Sequence, residues 1–130
     1  MAKQFTLGKE ERLKSRKQTE LLFSGGKKFT ILPFRVHYSL SKDEKGGIQF
    51  GTGAGKRNFK KAVDRNRIKR LMREAYRLQK IPLQELVAVH HQQLTVFFIY
   101  NGKELPAYKE VYGKMGQCLG KLCNLISEKK

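Results

Sequence analysis

The residues able to do chemistry are concentrated between positions 56 and 80, KRNFKKAVDRNRIKRLMREAYRLQK. Eleven of these 25 residues are Lys or Arg, and only Asp64 and Glu74 oppose them. Beyond Val63 the spacing is helical: Ile68, Leu71, Met72, Ala75 and Leu78 recur at three- and four-residue steps and predict one apolar stripe. Arg65, Lys69, Arg73 and Arg77 recur at i,i+4 and predict a basic ladder on the opposite side, with Asn66 and Arg70 beside it. Like charges at that spacing cost a few tenths of a kcal/mol per pair, so folding alone gives no reason for them. A solubilising face normally mixes both signs. A face of one sign is rewarded by a polyanion, above all nucleic acid.

Other chemistries find less support. Gly51-Thr52-Gly53-Ala54-Gly55-Lys56 resembles a nucleotide loop but fails both patterns. The dinucleotide fingerprint needs glycine at Lys56, and the phosphate-binding loop needs glycine at Phe50 and Ser or Thr at Arg57. Cys118 and Cys123 fall five residues apart on one predicted helix, too far apart for a disulfide. His37, His90 and His91 form no ligand pattern with carboxylates, so neither a metal site nor a catalytic residue is assigned. The formal charge is +17, with a pI near 10.1. A membrane surface is also polyanionic, but no lipidation motif or long amphipathic stretch with aromatic anchors is present. The longest apolar run, residues 94–100, is too short to span a bilayer, and MAKQFTLGKE has no signal-peptide core. The expectation is a cytoplasmic protein with neither a membrane nor a small-molecule partner.

Elements that could position the basic stretch follow from periodicity. Residues 1–14 are polar, basic and expected to be irregular. Ser15 with Gln18 matches a capping box for a short helix carrying Leu21, Leu22 and Phe23, stopped by Gly25 and Gly26. Lys27 and Lys28 lead out of it. Over residues 29–40 the period becomes two: Phe34, Val36, Tyr38 and Leu40 alternate with Arg35, His37 and Ser39. That predicts a half-buried strand, with Pro33 at its start or on an edge. Its polar face is either simply solvated or a floor for an extended single strand. Residues 41–47 are read as a hairpin turn and 48–52 as the returning strand. Pro82 ends the basic helix near Lys80, and residues 83–91 are ambiguous. Residues 94–100 read as a central strand, turned by Asn101-Gly102. Pro106 opens a last helix with Tyr108, Val111, Tyr112, Met115, Leu119, Leu122 and Ile126 as its core stripe. The fold class is α+β: a small mixed sheet packed by helices in the order α-β-β-(β)-α-β-α, within one domain over residues 1–130.

Ala62-Val63-Asp64-Arg65-Asn66-Arg67-Ile68-Lys69-Arg70 resembles the signature of the bacterial ribonuclease P protein subunit, centred on Arg65-Asn66-Arg67. Leu71-Met72-Arg73-Glu74-Ala75-Tyr76-Arg77 continues it, and Leu13-Lys14-Ser15-Arg16 and Leu22-Phe23-Ser24-Gly25-Gly26 fit near the start. The resemblance spans roughly residues 7–128. It implies a left-handed βαβ crossover, which general rules of chain handedness would not suggest. It implies the RNA-binding subunit of the ribonucleoprotein that removes the 5′ leader from precursor tRNA. Catalysis would then belong to the RNA subunit, with Mg²⁺ held by that RNA and the substrate and not by a protein site. Carried over, Lys56, Arg57, Lys60, Lys61, Arg65, Asn66, Arg67, Lys69, Arg70 and Arg73 are RNA contacts. Phe23, Arg35 and His37 are the leader-binding cleft. The chain departs from the family at Thr19 and His37, where aromatics are usual, and at Gly53-Ala54-Gly55, where a Val-Ser-type strand end is. The residues alone also allow a ribosomal-type structural RNA-binding protein, or less readily a DNA-binding one, since no helix-turn-helix pattern appears.

Overall fold

Alternation of apolar and polar residues builds the centre of the molecule. The computed structural model describes residues 16–42, 46–55 and 58–128. The expected irregular residues 1–14 and the Ser15 cap lie outside the described residues, as does the side chain of Thr19. Four strands form one sheet: β1 (Lys27–Ile31), β2 (Phe34–Lys42), β3 (Gly47–Ala54) and β4 (Gln92–Tyr100). Their order is β1-β2-β4-β3, which corrects the expected hairpin: β4 lies between β2 and β3, so the strand after residue 47 does not pair with the one before residue 41. β1 pairs antiparallel with β2, β2 antiparallel with β4, and β3 parallel with β4. A parallel pair needs a crossover rather than a hairpin. Two helices supply it, α2 (Ala62–Gln79) and α3 (Ile81–Val89); α1 (Arg16–Gly25) and α4 (Tyr108–Glu128) stand near the two ends of the chain.

Successive strand residues point to opposite faces. One face gives Phe34, Val36, Tyr38, Ile48, Phe50, Leu94, Val96, Phe98 and Tyr100 to the core. Against it pack Ile68, Met72, Ala75 and Tyr76 of α2, Leu83 and Val87 of α3, and Val111, Met115, Cys118, Leu119, Leu122 and Ile126 of α4. Phe50 stacks on Tyr76 with ring centroids 3.9 Å apart and planes 6° from parallel. Burial pushes the Cys118 thiol up to about 12, and both cysteines are free. Helix α1 lies on the other face, where Phe23 meets side chains of β2 and β4.

Several expectations need correction. The single strand over residues 29–40 is two strands, with Leu32 and Pro33 turning between them. Pro33 has no N–H to give a ladder; its carbonyl accepts from Asn101 N at 2.7 Å. Lys27 and Lys28 are the first residues of β1. The basic helix stops at Gln79, and Pro82 then sits in the first turn of α3, where its missing N–H costs nothing. Leu78 is 40% exposed and Tyr76 takes its place in the stripe, while Tyr112 of α4 is exposed as well. At about 100° per residue, Leu78 lies well off the line through Ile68, Met72 and Ala75. Among the described residues, no helix is long and apolar enough to cross a membrane.

Phe50→Ala should cost about 3–5 kcal/mol, because it empties a fully packed ring site. Denaturant unfolding reads this as a lower midpoint at unchanged slope. Leu78→Ala should stay within about 0.5 kcal/mol.

Candidate nucleic-acid interface

The basic ladder cannot stay on one face of a helix. An i,i+4 step advances about 400°, so each rung drifts about 40° around the axis. Arg65 therefore begins beside the buried stripe, and Lys69, Arg73 and Arg77 move progressively away from it. All four are half-buried; the exposed polar residues of α2 are Asn66, Arg67 and Arg70. Arg77 pairs with Glu74 three residues before it. The outward strip of the helix is thus Asn66, Arg67 and Arg70, with Lys69 and Arg73 on its flank.

The segment before α2 is anchored to the body. Phe59 is buried, its ring 6.0 Å from that of Tyr100. Asn58 Nδ2 donates to Gly102 O at 3.2 Å, and Phe59 N to Gly55 O at 3.1 Å. Arg65 Nη1 donates to the carbonyls of Phe59 at 2.8 Å and Lys60 at 2.9 Å. Lys60 and Lys61 are exposed, and Lys61 is the N-cap of α2 without a side-chain capping bond. Lys56 and Arg57 lie outside the described residues.

On the far face of the sheet, pairing sets side chains in transverse rows. Lys28, His37, Phe97 and Gly51 lie across one row, and Thr30, Arg35, Ile99 and Gly53 across the next. Phe23 of α1 stands over the first row. Its ring meets His37 at 4.7 Å and Phe97 at 5.3 Å, edge-on to both, and is 44% exposed. Arg35 is exposed and His37 half-buried. The structure thus brings the three expected cleft residues to one face. Phe97 is the member that sequence reasoning missed. Its ring leans over Gly53, where a Cβ would lie 3.0 Å from Cε1 and 3.2 Å from Cζ. The departure at Gly53 thereby makes room for Phe97. Thr95 carried the signal, since it marks the solvent face of β4 and positions 97 and 99 share that face. His37 is held below its ordinary value of 6.5 by burial and then by the positive charges of Arg35 and Lys28. Both effects favour the neutral imidazole.

Among the described residues, no group of three or more His, Cys, Asp or Glu is placed to hold a metal ion. What the surface offers is cations on α2, and aromatic rings beside a cation on the sheet. That pairing suits phosphates and bases.

Residues 7–123 match the family model described as Ribonuclease P. A ribonuclease P protein component of Porphyromonas gingivalis is 36% identical over 116 residues, covering 88% of this chain and 85% of that protein. The ribonuclease P protein of Staphylococcus aureus superposes with a TM-score of 0.64 at 18% identity, over 89% of this chain and 97% of that one. That of Thermotoga maritima gives 0.57 at 24% identity, over 92% and 98%. The solved structures share the fold, while the family model and the Porphyromonas relative share the sequence along most of its length. The chain belongs to the ribonuclease P family, as its protein component.

Proposed function

We propose that this chain binds the RNA subunit of ribonuclease P through the exposed strip of α2 and the segment before it. The face of the sheet beside α1 takes the single-stranded 5′ leader of precursor tRNA. The observation that carries this reading is the separation of two surfaces on one body: outward cations on α2, and Phe23, His37 and Phe97 on the opposite face of the sheet. One surface suits a folded RNA with phosphates at fixed positions, the other an extended strand whose bases can stack. In this reading the ions required for cleavage belong to the RNA subunit and the substrate. The protein's own part is to bind, neutralise charge and orient. The family match also displaces the ribosomal-type alternative. Single-turnover cleavage of precursor tRNA at low Mg²⁺, with and without the protein, tests the assignment; no acceleration by the protein would sink it.

The two surfaces should separate experimentally. Arg67→Ala and Arg70→Ala should each lower the slope of log affinity for the RNA subunit against log salt by roughly 0.7–0.9. Their melting temperatures should hardly move, because removing one of several like charges relieves repulsion.

Phe23→Ala and Phe97→Ala should weaken binding of long-leader precursor by about 1–3 kcal/mol per lost stack. Leaderless tRNA should be unaffected. Equal losses on both substrates would make the rings structural only.

His37 gives a pH signature. Its lowered value means the folded protein binds fewer protons than the unfolded chain, so its stability contribution falls as pH drops through 6.5. A leader phosphate beside the ring favours the imidazolium, so leader affinity should rise over the same interval. His37→Gln should flatten that rise; an unchanged profile would remove His37 from the contact.

A further inference from the structure

Arg65 is placed unlike a cation meant for solvent. It stands near the start of α2, where the positive end of the helix dipole disfavours a cation. Its phase on the helix puts it beside the buried stripe, not on the outward strip. Its Nη1 already donates at 2.8 and 2.9 Å to the carbonyls of Phe59 and Lys60. Fork-like recognition of a phosphate uses adjacent N–H groups of one guanidinium, and Nη1 is committed elsewhere.

The carbonyls it holds belong to the segment joining β3 to α2. Two other anchors act on that segment: Asn58 on Gly102 O at 3.2 Å, and the Phe59 ring in the core against Tyr100. Among its described residues, the exposed cations are Lys60 and Lys61. Three anchors on so short a piece of backbone fix where two lysines emerge. A strand-to-helix joint leaves carbonyls that no ladder satisfies, and a charged donor is a strong partner for them. Freezing the joint during folding means that less of it must be ordered when a ligand arrives.

We infer that Arg65 is a positioning residue for RNA binding: it holds the Phe59–Lys60 backbone so that Lys60 and Lys61 are presented in a fixed arrangement. The RNA ligands at this end of α2 are then the two lysines, and Arg65 acts through them. The inference rests on the proposed reading that this end of the helix meets RNA.

The test compares the affinity of full-length variants for the ribonuclease P RNA subunit across a salt series, per folded molecule as judged by thermal melting. Arg65→Lys keeps the charge and loses the geometry. It should weaken binding by about tenfold at every salt concentration, the order expected when one backbone residue must be ordered on binding. Its salt slope should match the wild type. Lys60→Ala with Lys61→Ala should lower the slope by about 1.4–1.8, from roughly 0.7–0.9 per phosphate contact. Adding Arg65→Lys to that pair should cause no further loss. Asn58→Ala removes a neighbouring anchor without touching any charge and should behave like Arg65→Lys.

Wild-type affinity in Arg65→Lys overturns the inference. So does an equal loss with and without the two lysines, since Arg65 would then act independently of them. If the lysine pair has no effect while Arg67→Ala and Arg70→Ala weaken binding, the inference falls and the proposed function stands. If none of these variants changes RNA affinity, both fall.

Discussion

The stacked rings of Phe50 and Tyr76 join the sheet to the helix that carries the cations. Phe98 of the neighbouring strand packs on the same ring of Phe50 at 5.3 Å. At the other end of the helix, Phe59 reaches Tyr100, and Tyr100 reaches Phe34 at 6.0 Å. Aromatic contacts near both ends thus set the rotation of α2 about its own axis. Rotation matters because neighbouring positions differ by about 100°. A setting one residue away would turn an arginine toward the core and an apolar residue outward. Burying an unpaired cation is costly enough to exclude that setting. The display of Asn66, Arg67 and Arg70 is therefore a consequence of core packing on the far side of the same helix.

A second constraint follows from the sheet. Because strand residues alternate, each residue committed to the core leaves its neighbours on the α1 face. Among the described elements, α1 is the helix that covers part of that face, where Phe23 meets His37 and Phe97. The content of the face is then fixed by register: His37 faces Phe97 across the β2–β4 pairing, and Gly51 faces Phe97 across the β3–β4 pairing. Glycine in a strand interior weakens it through lost packing and added backbone freedom. Here Gly53 admits a neighbouring ring, whose contact offsets part of that weakness. Phe23 meets both His37 and Phe97 edge-on, a favoured arrangement for such rings. A strand end that reads in sequence as a loosened glycine stretch is, in space, half of an aromatic platform.

Much of the fold was legible because its signals were local. The helical period of residues 62–79, the alternation in β2 and the apolar run of β4 each depend on a few neighbours. What was missed depended on tertiary placement. Residues 29–40 read as one strand because the even positions from Phe34 to Leu40 dominate the pattern; Phe29 and Ile31 are apolar at odd positions, and that change of phase at Leu32-Pro33 is the mark of the turn. α3 was ambiguous because Leu83, Leu86 and Val87 suit either a buried helix or a buried loop. Leu78 joined the stripe on spacing alone, while packing against α4 and β3 selected Tyr76. Phe97 was hidden for a physical reason: β4 is apolar on both faces, so hydrophobicity does not say which face is which. Pairing to β2 decides it, and only Thr95 hints at the answer beforehand. Of the basic residues, type and density were evident in sequence, but direction was not.

Direction is what separates cations available to RNA from cations the protein uses itself. A count of eleven basic residues over positions 56–80 treats them as equivalent. Helical phase divides those of α2: Arg65 falls toward the core side and turns to backbone carbonyls, Arg77 meets Glu74, and Arg67 and Arg70 face solvent. A guanidinium held by carbonyls still adds to the electrostatic potential that attracts a polyanion, since its charge is not neutralised. Its geometry, however, is spent inside the protein. The same residue type thus serves two ends, field and fixed backbone. The division between Arg65 and the outward pair follows from helical phase, about 100° per residue, on a helix whose rotation is already set by Phe50 and Tyr76.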